Sequence, residues 1–134
     1  MKYKAAHNYL IKKPEAKEDY PFGPDVAVYK VKGKMFATLA YSLIENAGKK
    51  VKQARMNLKC DPDQALMLRK IFPAVILGYH MNKRHWNTVC LDGSVPPNEI
   101  KAMIDHSYAL VVKSLKATVK NELKLKYGSQ HFDL

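Results

Sequence analysis

After the tandem Pro96-Pro97, the apolar residues Ile100, Met103, Ile104, Leu110, Val111, Leu115 and Val119 return every three or four positions. That spacing lines one side of an α-helix and leaves the other to Lys101, Lys113, Lys116, Lys120 and Lys124, so it predicts a long amphipathic helix. The pattern runs on towards Lys126, Gly128 offers a stop, and residues 129–134 are expected to fray. A helix with a single apolar stripe must bury it against a second layer. The rest of the chain supplies strands for that layer.

Residues 26–31 and 35–41 are rich in Val, Tyr and Phe and are separated by Lys32-Gly33-Lys34, whose glycine can take the positive φ of a tight hairpin. Residues 45–52 carry no apolar periodicity and lead into residues 53–60. There Ala54, Met56, Leu58 and Cys60 alternate with Gln53, Arg55, Asn57 and Lys59, the pattern of a strand with one dry and one wet face. Residues 75–79 and 86–91 read as two more strands joined by the basic turn 80–85. Two shorter helices complete the set. Residues 5–13 place Ala6, Tyr9 and Leu10 at helical spacing before Pro14, and residues 62–72 follow Asp61-Pro62-Asp63-Gln64, which predicts a capping box with proline at the first helical position. Between the first helix and the first hairpin, Asp19-Tyr20-Pro21-Phe22-Gly23-Pro24-Asp25 reads as a fixed loop whose two rings are expected to plug one end of the core.

The sum is an α+β domain of two layers, α-β(3)-α-β(2)-α, with an antiparallel sheet, helices on one face and the other face open to solvent or a partner. At 134 residues a single domain is expected over 1–134, with 116–134 as a C-terminal helical extension and tail. Cys60 and Cys90 are too few for a disulfide framework and form no C-x-x-C pair, so reduced, buried thiols are expected. With no apolar run of signal-peptide or membrane-span length, the expected location is the cytoplasm and no membrane partner is expected.

The chemistry-bearing residues argue against catalysis. Asp105 and His106 are helix neighbours pointing about 100° apart, Ser107 lies in no nucleophile motif, and no glycine-rich phosphate loop exists. His80 and His85 flank a turn but are two ligands without a third, so neither a metal nor another cofactor is expected and the chain reads as a non-enzyme. Charge is more informative. Lys and Arg total 23 against 12 Asp and Glu, a net +11, which predicts attraction to polyanions. Lys49, Lys50, Lys52 and Arg55 fall within seven residues that hold no acid, and Lys30, Lys32 and Lys34 cluster at the first hairpin. Lys83, Arg84 and His85 precede Trp86 and Asn87, a mixture suited to phosphate contact with base stacking or hydrogen bonding. Taken singly, hairpin lysines also serve to keep strand edges from pairing, and a tryptophan on a strand is more often part of a core.

Three stretches together resemble the MmcQ/YjbR family of small bacterial cytoplasmic proteins: Asp19-Tyr20-Pro21-Phe22-Gly23-Pro24 leading into Val26-Ala27-Val28-Tyr29-Lys30-Val31, then Asn57-Leu58-Lys59-Cys60-Asp61-Pro62, then Gly78-Tyr79-His80-Met81-Asn82-Lys83-Arg84-His85-Trp86-Asn87-Thr88. Leu91-Asp92-Gly93-Ser94 and Ile104-Asp105-His106-Ser107-Tyr108 extend the likeness to most of residues 9–115, and the segment after Leu115 is longer than the family usually has. The resemblance implies the same α-β(3)-α-β(2)-α fold, similar to type III secretion chaperones, and DNA binding by a double wing of hairpins. The wings would be the loop of Lys49, Lys50 and Lys52 and the turn of Lys83 and Arg84. The leading expectation is therefore a sequence-tolerant duplex DNA binder using Lys49, Lys50, Lys52, Arg55, Lys83, Arg84, His85, Trp86 and Asn87, with Arg84 and Asn87 available to base edges. The alternatives are a protein-interaction module or homodimer using the open sheet face, and a small anionic ligand held by Tyr79, His80, Arg84 and Trp86.

Overall fold

The computed structural model describes residues 1–78 and 81–132, His131 by its backbone alone. Its elements run α1 (Tyr3–Ile11), β1 (Ala16–Asp19), β2 (Val26–Val31), β3 (Lys34–Asn46), β4 (Lys49–Lys59), α2 (Pro62–Ile71), β5 (Val75–Leu77), β6 (Trp86–Cys90), α3 (Pro97–Lys113) and α4 (Ala117–Tyr127), then a 3-10 turn at Ser129–His131. Among the described residues the strands form one sheet in the order β1-β2-β3-β4-β6-β5, every pairing antiparallel. The α+β layering expected from the sequence holds, with one added edge strand, β1.

Both long hairpins turn on two residues of positive φ, Lys32-Gly33 (51° and 80°) and Ala47-Gly48 (53° and 78°), which match the right-handed twist of the strands they join. Glycine accepts this conformation freely, whereas Ala47 does so at a steric cost, which is why Asn46-Ala47-Gly48-Lys49 does not announce itself as a turn. Residues 45–52, read from sequence as an aperiodic loop, are therefore the paired ends of two long strands.

The alternation in β4 sends Ala54, Met56 and Leu58 to the helix side, where with Ala37 and Leu39 they meet Ile100, Ile104, Tyr108 and Val111 of α3. Ser107 stitches this junction. Its hydroxyl donates to the Phe36 carbonyl at 2.6 Å and accepts the Lys59 amide at 2.9 Å, satisfying backbone groups beside the irregularity where Tyr29 pairs with Ala37 but Lys30 with Met35.

Four local expectations give way to tertiary structure. The capping box does not form: the Asp61 side chain makes no cap bond, and the Asp61 amide that Gln64 would have accepted donates instead to His106 Nε2 at 3.4 Å; Pro62 nevertheless starts α2. The long final helix breaks after Lys113. The Ser114 hydroxyl donates to the Val111 carbonyl at 2.6 Å, and the Leu115 amide reaches only the Val112 carbonyl, so the last turn tightens and the chain changes direction before α4. That turn brings Leu123 and Phe132 back onto the core, with the Phe132 ring 6.0 Å from that of Tyr108, so the tail through Phe132 packs rather than frays. Finally, Tyr20 and Phe22 are exposed and plug nothing.

Candidate functional site

β3 pairs with β2 only as far as Ala40, and β4 pairs with β6 only from Arg55 onward, so among the described residues 41–46 and 49–54 have no strand partner but each other, with one further bond at the base where the Leu91 amide donates to the Ala54 carbonyl at 2.9 Å. These six pairs form a two-stranded ribbon extending roughly 20 Å beyond the six-stranded sheet at about 3.3 Å per residue. Cross-strand partners share a face, which puts Lys50 and Lys52 on the helix side with Glu45 and Leu43, and Lys49 on the other side with Asn46. All three lysines are exposed, and none lies within 4 Å of a carboxylate among the described residues, even though Glu45 is Lys50's register partner.

The other cluster of lysines is spoken for. Lys30 pairs with Asp19 at 3.0 Å, Lys32 with Glu15 at 2.8 Å, and Lys34 donates to the Ser114 carbonyl at 3.3 Å. At the first hairpin, then, acids of β1 and its flank offset two of the three lysine charges, and Lys34 alone keeps no acidic partner among the described residues.

The remaining predicted contact residues divide. Lys83 and Arg84 are exposed in the turn before β6, and His85 is half-buried with its carbonyl accepting the Cys60 amide at 2.8 Å. Because Trp86 is the register partner of Lys59, this turn leaves the sheet at the end of β4 opposite the ribbon tip. The two supposed wings are not neighbours.

Trp86 is only 9% exposed, which leaves too little of its ring open for a base to stack on, and its backbone runs so close to Gly78 that a Cβ there would meet the Trp86 carbonyl oxygen at 2.7 Å. Asn87 is a correction of the same kind. Its Oδ1 accepts from Arg69 at 2.7 Å and its amide donates to the Ala65 carbonyl at 3.2 Å, so the side chain ties β6 to α2 and is unavailable to a base. Arg55 is not part of the tip either: it lies half-buried on the sheet face away from the helices. Tyr79 and His80, invoked for the turn, for a histidine pair and for an anion pocket, lie outside the described residues.

Asp105 and His106 point to different elements. Asp105 accepts from Tyr9 at 2.7 Å and pairs with Lys13, while His106 faces Asp61 at the β4–α2 junction. Burial lowers the His106 pKa below its ordinary value, with the Asp61 charge opposing. The folded chain thus resists protonating this ring while the unfolded chain takes up the proton near pH 6.5, so stability is full above that pH and falls as pH drops through it. Urea midpoints at pH 7.5 and 5.5 should differ less for His106→Gln than for the parent chain. Glu15, Asp19 and Asp92, held below the usual carboxylate range by Lys32, Lys30 and Ser94, act in a lower window, below about pH 4.5. Cys60 and Cys90 are free thiols, Cys60 pushed up to about 11 by burial. Among the described residues no group of three His, Cys, Asp or Glu is placed to hold a metal ion, and no helix is long and apolar enough to cross a membrane.

Sequence reasoning missed a cavity. On the sheet face opposite the helices, Thr38, Asn57 and Thr88 form a row across β3, β4 and β6, with Ala40 and Arg55 in the next row. Phe22 and Met81 stand over them, enclosing about 350 Å³. No single motif spans these residues: Phe22, Asn57, Met81 and Thr88 come from three separate stretches of the family resemblance, and strand register and the loop over the sheet unite them.

The YjbR family profile matches residues 11–110. Among similar proteins, YbdF of Escherichia coli O157:H7 is 32% identical over 113 residues, covering 84% of this chain and 86% of that protein. YjbR of E. coli K12 is 33% identical, covering 80% and 84% respectively. The crystal structure of Deinococcus radiodurans DR2400 superposes with a TM-score of 0.76 at 32% identity, over 90% of this chain and 86% of that one. A Pseudomonas syringae protein gives 0.71 at 34% identity, over 82% and 98%. With the profile spanning the whole sheet, α2 and most of α3, and relatives sharing a third of their residues over most of their length, the chain belongs to the YjbR family.

Proposed function

We propose that the protein binds nucleic acid through the backbone phosphates, with the β3–β4 ribbon as its principal contact. The observation that carries this reading is the trio Lys49, Lys50 and Lys52, exposed on a projecting ribbon with no carboxylate within 4 Å among the described residues. A two-stranded ribbon fits the major groove of a duplex, about 12 Å wide, and cations on both of its faces then reach the phosphates of both walls. Lys83 and Arg84 extend the footprint only for a duplex lying along β4, since the strand's eleven residues span about 33 Å, close to one helical turn.

Anisotropy titrations of labelled duplex against salt test this directly. With four to six phosphates neutralised, log K should fall against log salt with a slope of about −3.5 to −5.5. A flat response removes the premise, and equal affinity for heparin reduces it to bulk charge.

One observation favours a second reading, a protein partner or second copy docked on the ribbon: Leu43 is 68% exposed and Tyr41 54% exposed. Sizing at high salt separates the two, because a stoichiometric complex that survives salt is not held by phosphate contacts.

A further inference from the structure

The cavity on the helix-free face has an unusual floor for a surface facing away from the core. Thr38 and Thr88 are 5% and 1% exposed, and the Asn57 amide oxygen accepts the Thr88 hydroxyl between them. Next to this row, the Nε of Arg55 is shielded from solvent and has no hydrogen-bond acceptor among the described residues. The Cys90 thiol beside it interacts with the guanidinium, but sulfur is a weak acceptor. Among the described lining residues Arg55 is the one charged group, and none is acidic. A shielded donor left unpaired is costly, and a cation without a counter-ion more so. Above it, Phe22 holds its ring 66% exposed on the Pro21-Phe22-Gly23-Pro24 loop, an apolar surface with nothing yet to cover. The volume, about 350 Å³, sits at the small end of ligand sites.

We propose that this cavity binds a small organic anion, its carboxylate or phosphate group on the Arg55 guanidinium and its apolar body between Phe22 and Met81. The planar fork of arginine matches either oxyanion. The anion supplies the acceptor that Nε lacks, and the hydroxyl and amide row gives its oxygens further polar neighbours. Met81 belongs to the turn that also carries Lys83 and Arg84, so occupancy couples this site to that turn. The site is independent of the ribbon reading and uses none of its lysines.

Amide-resolved NMR of the full chain with phenylacetate, phenyl phosphate and the uncharged phenylacetamide tests it. Saturable shifts at Thr38, Arg55 and Thr88 are expected with at least one anion and not with the amide, and the stronger anion identifies the preferred headgroup. Arg55→Gln should weaken binding about tenfold or more, as removal of a charge-assisted hydrogen bond does. Phe22→Ala, at an exposed position and so harmless to folding, should weaken it too, which keeps the proposal falsifiable if Arg55→Gln misfolds. The triple change of Lys49, Lys50 and Lys52 to alanine should leave it unchanged. The proposal is overturned if no probe shifts these amides, if phenylacetamide binds as well as the anions, if a folded Arg55→Gln protein binds like the parent, or if the triple variant loses binding.

Discussion

Phe36→Ala should lower the unfolding free energy by about 3–5 kcal/mol, with a fall in Tm of about 10–20 °C. Phe36 is wholly buried, meets the Tyr108 ring edge-on at a centroid distance of 5.2 Å, and offers its carbonyl to Ser107. Truncation removes the apolar area and leaves a cavity at the point where β3 adjusts its register to β2, a region already tied by backbone bonds and unable to collapse. Against a total stability of about 5–15 kcal/mol, the loss is a large fraction. Leu43→Ala on the ribbon, removing a side chain already 68% exposed, should cost less than about 0.5 kcal/mol. Denaturant titrations of the two variants measure the contrast, and similar losses for both would mean that the ribbon packs against something in solution.

The second large effect is on binding. Changing Lys49, Lys50 and Lys52 together to alanine removes three of the expected phosphate contacts, which should shrink the salt slope by about 2.7 and weaken duplex binding at roughly 0.1 M salt by about a hundredfold or more. The loss should be uniform across unrelated duplexes, because phosphate contacts carry no sequence information. Stability should change little, since the three side chains are exposed and make no ion pair among the described residues. Anisotropy with two duplexes of different sequence reads both quantities. An unchanged affinity would leave the lysines as edge protection, a role suited to a ribbon with unpaired outer edges.

Residues that act through local periodicity were legible beforehand. The alternation of Ala54, Met56 and Leu58, the stripe from Ile100 to Val111 and the Lys32-Gly33 turn each encode an element through neighbours two to four positions apart. Misreadings came where a distant group competed. His106 took the Asp61 amide from the capping box, and Phe132 found Tyr108 and so held down a tail that nothing local would order.

The same division runs through the candidate site. That the chain is basic, that lysines crowd near residue 50, and that the fold is α+β follow from composition and spacing, since both are sums over nearby residues. Which of those charges stay free does not: Asp19 and Glu15 neutralise Lys30 and Lys32 because β1 joins the sheet edge, an outcome of strand pairing. Register likewise sends Asn87 to α2 and leaves Trp86, nearly buried, on the opposite sheet face with Lys59, and Thr38, Arg55 and Thr88 meet across three strands although 50 positions separate Thr38 from Thr88. Register is a long-range quantity set by how the faces bury, and a one-dimensional pattern carries the faces without the partners.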